Sequence, residues 1–172
     1  MKIWNNINHR VMIISSISLM LLLLAITFQH TYDLQPCTLC LWQRWPHIFT
    51  IIAGIVFVSY KGDNPKINLL FLFFGTISVL IGTFISMFHV GVEIGLWNGL
   101  STCGMIDFTL PTEDIILLME KPSPDCSDPQ WKFMGHSMTA WNLFFSATLS
   151  GAWFGTFLTC LLYTSPSPRD RG

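Results

Sequence analysis

Four long apolar runs constrain this 172-residue chain more than any other feature of its sequence. They cover approximately residues 11–28, 41–60, 67–90 and 140–163. A helix of about 20 apolar residues spans a bilayer, where every backbone polar group must find its partner within the segment. Only 11% of the residues are charged, against about 25% in soluble domains, which favours a bilayer over a soluble core. The sequence therefore predicts an all-α integral membrane bundle of four transmembrane helices.

The chain divides into one predicted membrane domain, 1–163, and a short tail, 164–172. The tail is rich in Ser and Pro and differs in composition from the rest, so we interpret it as non-native and exclude it from functional reasoning. Lys2 and Arg10 precede the first run, as in a signal peptide, but no small-residue cleavage site follows that run. We therefore expect the first run to be retained as a transmembrane helix.

Basic residues flank the runs unevenly, and this asymmetry predicts the orientation of the chain. One side carries Lys2, Arg10, Lys61, Lys66, Arg169 and Arg171, whereas the other carries Lys121, Lys132 and, at the membrane edge, Arg44. Both termini are therefore predicted to be cytoplasmic, and the long loop between the third and fourth helices is predicted to face outward. In a bacterium the membrane would be the inner one and the outward side the periplasm, where disulfides persist. Within this loop, a short surface helix is predicted to begin at Thr112 and to include Ile115–Met119.

A C-x-x-C motif, Cys37-Thr38-Leu39-Cys40, stands at the predicted outer end of the second helix. Thiolate pKa values in such pairs are often depressed, more so at a helix N-terminus. Three interpretations are open: a redox pair, a structural disulfide, or half of a zinc site. Leu41 occupies the position where a c-type haem site needs His, and no βαβ pattern indicates a thioredoxin fold.

Two further cysteines, Cys103 and Cys126, lie in the long outer loop. They are too widely spaced to complete a typical Cys₄ zinc site, so no metal is predicted. Pairing them closes the loop, either as a structural staple or as a second redox pair that exchanges with the first. The fifth cysteine, Cys160, lies inside the fourth apolar run and is predicted to pack in the core. Gly151 and Gly155 form a G-x-x-x-G in the same run, which predicts close helix packing.

Arg44 lies four residues after Cys40, on the same helix face and one turn deeper in the membrane. It is either a headgroup anchor or a donor to a carbonyl oxygen of a bound ligand. His89, at the outer end of the third helix, is either an interface residue or a second hydrogen-bonding group for that ligand. Trp42 and Trp45 indicate an aromatic belt, and they could also wall a site for a ring.

These residues together resemble one family of membrane proteins, the DsbB family. The segment Pro36–Arg44 resembles its P-C-x-L-C-x-x-x-R motif. The segment His89–Glu93, with Trp97 and Cys103, resembles the start of the family's second outer loop, and Cys126, Trp131 and residues 135–142 resemble its end. The likeness covers roughly residues 11–162.

The resemblance implies a protein-disulfide:quinone oxidoreductase with Cys37, Cys40, Cys103 and Cys126 as its catalytic residues. A reduced periplasmic DsbA-type thioredoxin-like partner would attack Cys103 of a Cys103–Cys126 disulfide. Electrons would pass through Cys37 to Cys40, with a transient Cys37–Cys126 bridge. They would then reach a membrane quinone, ubiquinone or menaquinone, held by Arg44 and His89. The other expected partner is membrane lipid, and no basic patch indicates nucleic acid.

Two alternatives stay open at this point. The first is a quinone reductase of the vitamin K epoxide reductase type, whose C-x-x-C comes at its last core helices, whereas here the motif follows the first helix. The second is a non-enzymatic membrane protein whose disulfide-stapled outer loop binds a partner. Turnover of a dithiol protein distinguishes an enzyme from a staple.

Overall fold

The computed structural model describes residues 2–60, 64–100, 103 and 124–164, with residues 2–5 described by their backbone alone. Its helices are α1 (Lys2–Thr31), α2 (Thr38–Ser59), α3 (Pro65–Glu93) and α4 (Met138–Thr164), and a small hairpin comprises β1 (Lys132–Phe133) and β2 (His136–Ser137). These four helices are each long and apolar enough to cross a membrane. The predicted all-α four-helix membrane bundle is therefore confirmed. The surface helix predicted from Thr112 and the tail after Thr164 lie outside the described residues.

The helices begin earlier than the apolar runs do. α1 begins at Lys2 rather than near residue 11, because hydropathy marks the lipid-facing part of a helix and not its polar first turns. α2 begins at Thr38 rather than near residue 41, with Cys37 as its N-cap. Pro46 lies inside α2, where it removes one backbone donor from the helix.

α3 is the central helix of the bundle, because it packs against both α2 and α4, while α1 packs mainly against α2. The core contains the fully buried Trp153, whose indole N–H donates to the carbonyl oxygen of Leu72 at 2.8 Å. A Cβ added at Gly75 would overlap that indole, so α3 and α4 meet closely at this glycine. Cys160 is fully buried in the same core, as predicted for a packing residue.

The prediction of close packing at Gly151 and Gly155 is wrong. Among the described residues, a Cβ added at either glycine would meet nothing within 4 Å. The spacing of two glycines puts them on one helix face, but it does not decide whether that face meets another helix. The glycine at which α4 comes close to α3 is instead Gly75, which lies on α3.

The hairpin covers the end of the bundle at which the C-x-x-C motif lies. Met134 and Gly135 both have positive φ, 52° and 80°, which is the backbone of a two-residue type I′ turn. Directly after the hairpin, the Ser137 hydroxyl accepts a hydrogen bond from the Ala140 N–H at 3.1 Å and so caps α4. The same hydroxyl donates to a carboxylate oxygen of Glu93 at 2.5 Å, which ties the end of α3 to the start of α4.

Candidate functional site

The four cysteines predicted to be catalytic form two pairs in the structure. Cys103 and Cys126 are joined by a disulfide. Cys37 and Cys40 are not bonded to each other, and their sulfur atoms lie 3.2 Å apart. Because Cys37 is the N-cap of α2, its sulfur also accepts a hydrogen bond from the Cys40 backbone N–H at 3.4 Å.

The two pairs meet at one buried point. The sulfur atoms of Cys37 and Cys126 and a ring nitrogen of His89 all lie within 4.8 Å of one another. The Nε2 atom of His89 is 3.6 Å from the Cys37 sulfur. Three such groups could in principle ligate a metal, but the Cys126 sulfur is held in a disulfide and is not the thiolate that a metal requires. Among the described residues, this cluster therefore places one sulfur of each cysteine pair close to a sulfur of the other pair.

The surroundings of Cys37 favour negative charge on its sulfur over that of Cys40. The hydrogen bond between the sulfurs of Cys37 and Cys40 is the main cause that lowers the pKa of Cys37 from 9.0 to about 4. Burial opposes this shift, whereas the contact with His89 and the backbone N–H of Cys40 reinforce it. Since a thiolate is the reactive form of cysteine, the pair is poised for exchange through Cys37.

Buried polar side chains surround His89. Its Nδ1 atom lies 3.1 Å from the amide nitrogen of Gln43 and 3.5 Å from the hydroxyl of Thr139. Its Nε2 atom lies 3.9 Å from a carboxylate oxygen of Glu93, one helical turn along α3. The side chain of His89 is only 2% exposed and that of Glu93 8%. His89 is thus part of the cysteine site and not a residue of the lipid interface.

A cavity of about 540 Å³ opens beside the C-x-x-C motif, a size typical of small-molecule sites. Its aromatic lining comes from Phe28, Tyr32, Trp131, Phe133, Trp141 and Phe145. The ring of Trp131 lies 4.9 Å from that of Phe28 and stacks on Phe133 at 5.8 Å, measured between centroids. Cys40, Arg44 and His89 contribute polar groups to the same cavity.

Arg44 points its guanidinium at this cavity rather than at a carboxylate. It donates to the side-chain oxygen of Gln29 on α1 at 2.8 Å, and no described carboxylate lies within ion-pairing distance of it. The suggestion that Trp42 and Trp45 wall a ring-binding site is wrong for this cavity. Both side chains are more than half exposed, at 51% and 59%, and neither lines it. They lie on the outer face of α2, as belt residues do.

Several residues of the site had no role predicted for them from the sequence. Gln43, Glu93 and Asn142 all contact its polar groups, and Trp131 and Trp141 line its cavity. The available signal was their polarity, because an amide or carboxylate inside a membrane-spanning helix is costly unless it has a buried partner. The partners of Gln43 and Asn142 could not be named from the sequence, since they lie on other helices.

A four-helix membrane bundle that brings two cysteine pairs together at one end defines an integral membrane disulfide oxidoreductase. Comparison with known families agrees with this class. The family model described as "Disulfide bond formation protein DsbB" matches residues 8–156. The chain belongs to the DsbB family, as the resemblance in its motifs predicted.

Individual relatives match over most of their length. The chain is 31% identical to Disulfide bond formation protein B of Mannheimia succiniciproducens, over 73% of this chain and 71% of that protein. It is 34% identical to the protein of the same name from Histophilus somni, over 68% and 67%. It is 31% identical to that of Pseudoalteromonas atlantica, over 80% and 81%. The vitamin K epoxide reductase alternative is therefore not retained.

Proposed function

We propose that this chain oxidises a periplasmic DsbA-type thioredoxin-like protein and passes the electrons to a membrane quinone. One observation carries the proposal: a sulfur of each cysteine pair lies within 4.8 Å of the other, while Cys40 lines the adjacent cavity. The two pairs then form a relay from the loop to the cavity. We further propose a bacterial inner membrane with both termini cytoplasmic, on the basis of the basic residues.

The first step is reduction of the loop disulfide by the partner. A partner thiolate attacks Cys103, forms a mixed disulfide and releases the Cys126 thiolate. The partner's second thiolate then attacks its own bridged sulfur and releases Cys103, so that the partner is oxidised and the loop pair reduced. The burial of the two sulfurs supports this order, because Cys103 is partly exposed and Cys126 is only 2% exposed.

The second step transfers the electrons to the C-x-x-C pair in its oxidised form. The Cys126 thiolate attacks Cys37, which forms a Cys37–Cys126 bond and releases the Cys40 thiolate. The Cys103 thiolate then attacks Cys126, which restores the loop disulfide and releases Cys37 as a thiolate. Both electrons now reside on Cys37 and Cys40. The proximity of Cys37 to Cys126 supports this step, since exchange requires direct contact of the sulfurs.

The cavity fits a quinone ring. Its aromatic walls suit a flat apolar ring, and Arg44 and His89 supply polar groups near the cysteine edge. The Cys37 and Cys40 thiolates would pass two electrons to a bound quinone, ubiquinone or menaquinone, as the Cys37–Cys40 disulfide re-forms, and the two protons of the quinol would come from the periplasmic solvent. Arg44 would hold a ring oxygen and stabilise the negative charge that develops there. The aromatic side chains would exclude water from the cavity.

The decisive experiment supplies the purified chain in detergent with a reduced thioredoxin-like dithiol protein and a soluble ubiquinone analogue. We expect loss of the quinone absorbance and oxidation of the dithiol in equal amounts, both abolished by Cys40→Ser. If the dithiol stays reduced while Cys103–Cys126 stays intact, that pair is a structural staple and the chain is the non-enzymatic binding protein considered above. Oxidation of the dithiol without quinone loss would refute the proposed acceptor.

A further inference from the structure

A chain of hydrogen-bonded polar side chains runs behind His89 and crosses three helices. It begins at Ser86 on α3, continues through Asn142 on α4 and Gln43 on α2, and returns to α3 at His89. Ser86 is fully buried, and Gln43 is 6% exposed. Because each group in a buried chain must match a donor to an acceptor, the direction of every bond can be worked out from one fixed end.

The fixed end is a backbone carbonyl. The Ser86 hydroxyl lies 2.8 Å from the carbonyl oxygen of Gly82, which can only accept, so the single hydroxyl proton is committed there. The Ser86 oxygen must therefore accept from the amide nitrogen of Asn142, which lies 2.9 Å away. This fixes the orientation of the Asn142 amide. Its oxygen then faces the Nε2 atom of His47 at 3.3 Å.

The orientation of the Asn142 amide determines that of Gln43, and Gln43 in turn determines which ring nitrogen of His89 carries the proton. The same amide nitrogen of Asn142 donates its other proton to the side-chain oxygen of Gln43 at 3.0 Å. The nitrogen of Gln43 consequently faces Nδ1 of His89 at 3.1 Å. An amide nitrogen can only donate, so Nδ1 accepts and carries no proton. In the neutral imidazole the proton is then on Nε2, the atom 3.6 Å from the Cys37 sulfur.

We propose that Ser86, Asn142 and Gln43 are positioning residues that hold His89 with its proton on Nε2, directed at the sulfur of Cys37. In the opposite tautomer the lone pair of Nε2 would face that sulfur and repel its negative charge. The inference rests on the proposed function for its consequence in the reaction, where Cys37 leaves as a thiolate when the loop disulfide is restored. A hydrogen bond aimed at the leaving sulfur stabilises its charge.

Other groups around Cys37 act on its charge as well. The sulfur of Cys40 on α2 lies 3.2 Å from it, and the carboxylate of Glu93 on α3 lies 3.9 Å from the same Nε2 atom of His89. The described part of α4 presents the neutral side chains of Thr139 and Asn142 to this region. Cys126 does not titrate in its disulfide, and the other charged groups on the cavity wall are Arg44, Asp125 and Asp128. Among the described residues, His89 is therefore the group that stabilises the charge of Cys37 in one tautomer and repels it in the other.

The direct test is the ¹⁵N spectrum of the histidine-labelled full chain in detergent, which separates protonated from unprotonated ring nitrogens. We expect an unprotonated Nδ1 and a protonated Nε2 for His89, assigned by its loss in His89→Ala. A protonated Nδ1 in the wild-type chain would overturn the proposal. This measurement needs no turnover, so its failure is distinct from failure of the proposed function.

Variants test the positioning chain itself. Gln43→Met keeps the volume but removes the donor to Nδ1, and Ser86→Ala removes the fixed end. In both variants we expect His89 to populate both tautomers. We also expect the pH at which alkylation of Cys37 by iodoacetamide is half-maximal to rise by about one unit, because a hydrogen bond to a charged sulfur is lost.

Thr83→Val is the matched control. The Thr83 hydroxyl on α3 also forms a hydrogen bond to α4, 2.8 Å from the hydroxyl of Ser150, but it is not part of the hydrogen-bonded series from Ser86 to His89. It should change neither the tautomer nor the midpoint. Wild-type values in both Gln43→Met and Ser86→Ala would refute the positioning role. If Gln43→Met fails to fold, Ser86→Ala and the wild-type spectrum still decide the question.

Discussion

The reactivity of Cys37 should be nearly independent of pH above pH 6. Its hydrogen bonds to Cys40 and His89 lower its pKa from 9.0 to about 4, so the sulfur is already a thiolate at pH 6. In the unfolded chain the thiolate fraction of the same cysteine should rise roughly 500-fold between pH 6 and pH 9. A low pKa also makes each thiolate roughly 100-fold less nucleophilic. The folded chain should therefore react at most about tenfold faster than the unfolded chain at pH 6, and more slowly at pH 9.

Alkylation of the reduced chain by iodoacetamide, followed by mass spectrometry of the Cys37 peptide, measures this profile. Limited access to the buried sulfur scales all rates equally and does not move the midpoint. Since the Cys40 contact is the largest cause of the shift, Cys40→Ala should raise the midpoint more than His89→Ala does. A midpoint near 9 in the folded chain, or one that Cys40→Ala leaves in place, would refute this account of the site.

Three further predictions concern the quinone, the partner and the bundle. Arg44→Ala should raise the apparent KM for a quinone analogue about tenfold or more while leaving binding of the dithiol partner unchanged, with lysine a partial substitute; an unchanged quinone dependence would return Arg44 to the role of a headgroup anchor. A thioredoxin-like partner that lacks its second cysteine should accumulate as a disulfide with Cys103, most cleanly in Cys126→Ser when the link is preformed; an adduct mapped by mass spectrometry to the C-x-x-C motif instead would reverse the relay order. Gly75→Val should destabilise the bundle by about 1–3 kcal/mol in detergent unfolding because it overlaps a buried indole, whereas Gly151→Ala should be nearly neutral, and equal effects would contradict the packing described.

The membrane architecture could be predicted because its cause is local. Each apolar run must satisfy its own backbone in lipid, so its length and composition are enough to predict a helix. Cys37, Cys40 and Arg44 lie within eight positions of one another on one helix, and their relative placement also follows from the chain alone. The ends of the helices did not follow in the same way, because a capping residue such as Cys37 and polar first turns extend them beyond the apolar runs.

Only the tertiary structure decided how the site is assembled. His89 contacts Cys37 across 52 positions, and Asn142 contacts Gln43 across 99. Such contacts depend on how α2 and α4 pack against α3, which in turn depends on a glycine such as Gly75 meeting an indole on another helix. The sequence by itself determined that a thiol pair lies at one end of a membrane helix. The packing of the helices determined which imidazole nitrogen faces its sulfur, because a buried donor can be matched to an acceptor only after both have been brought together.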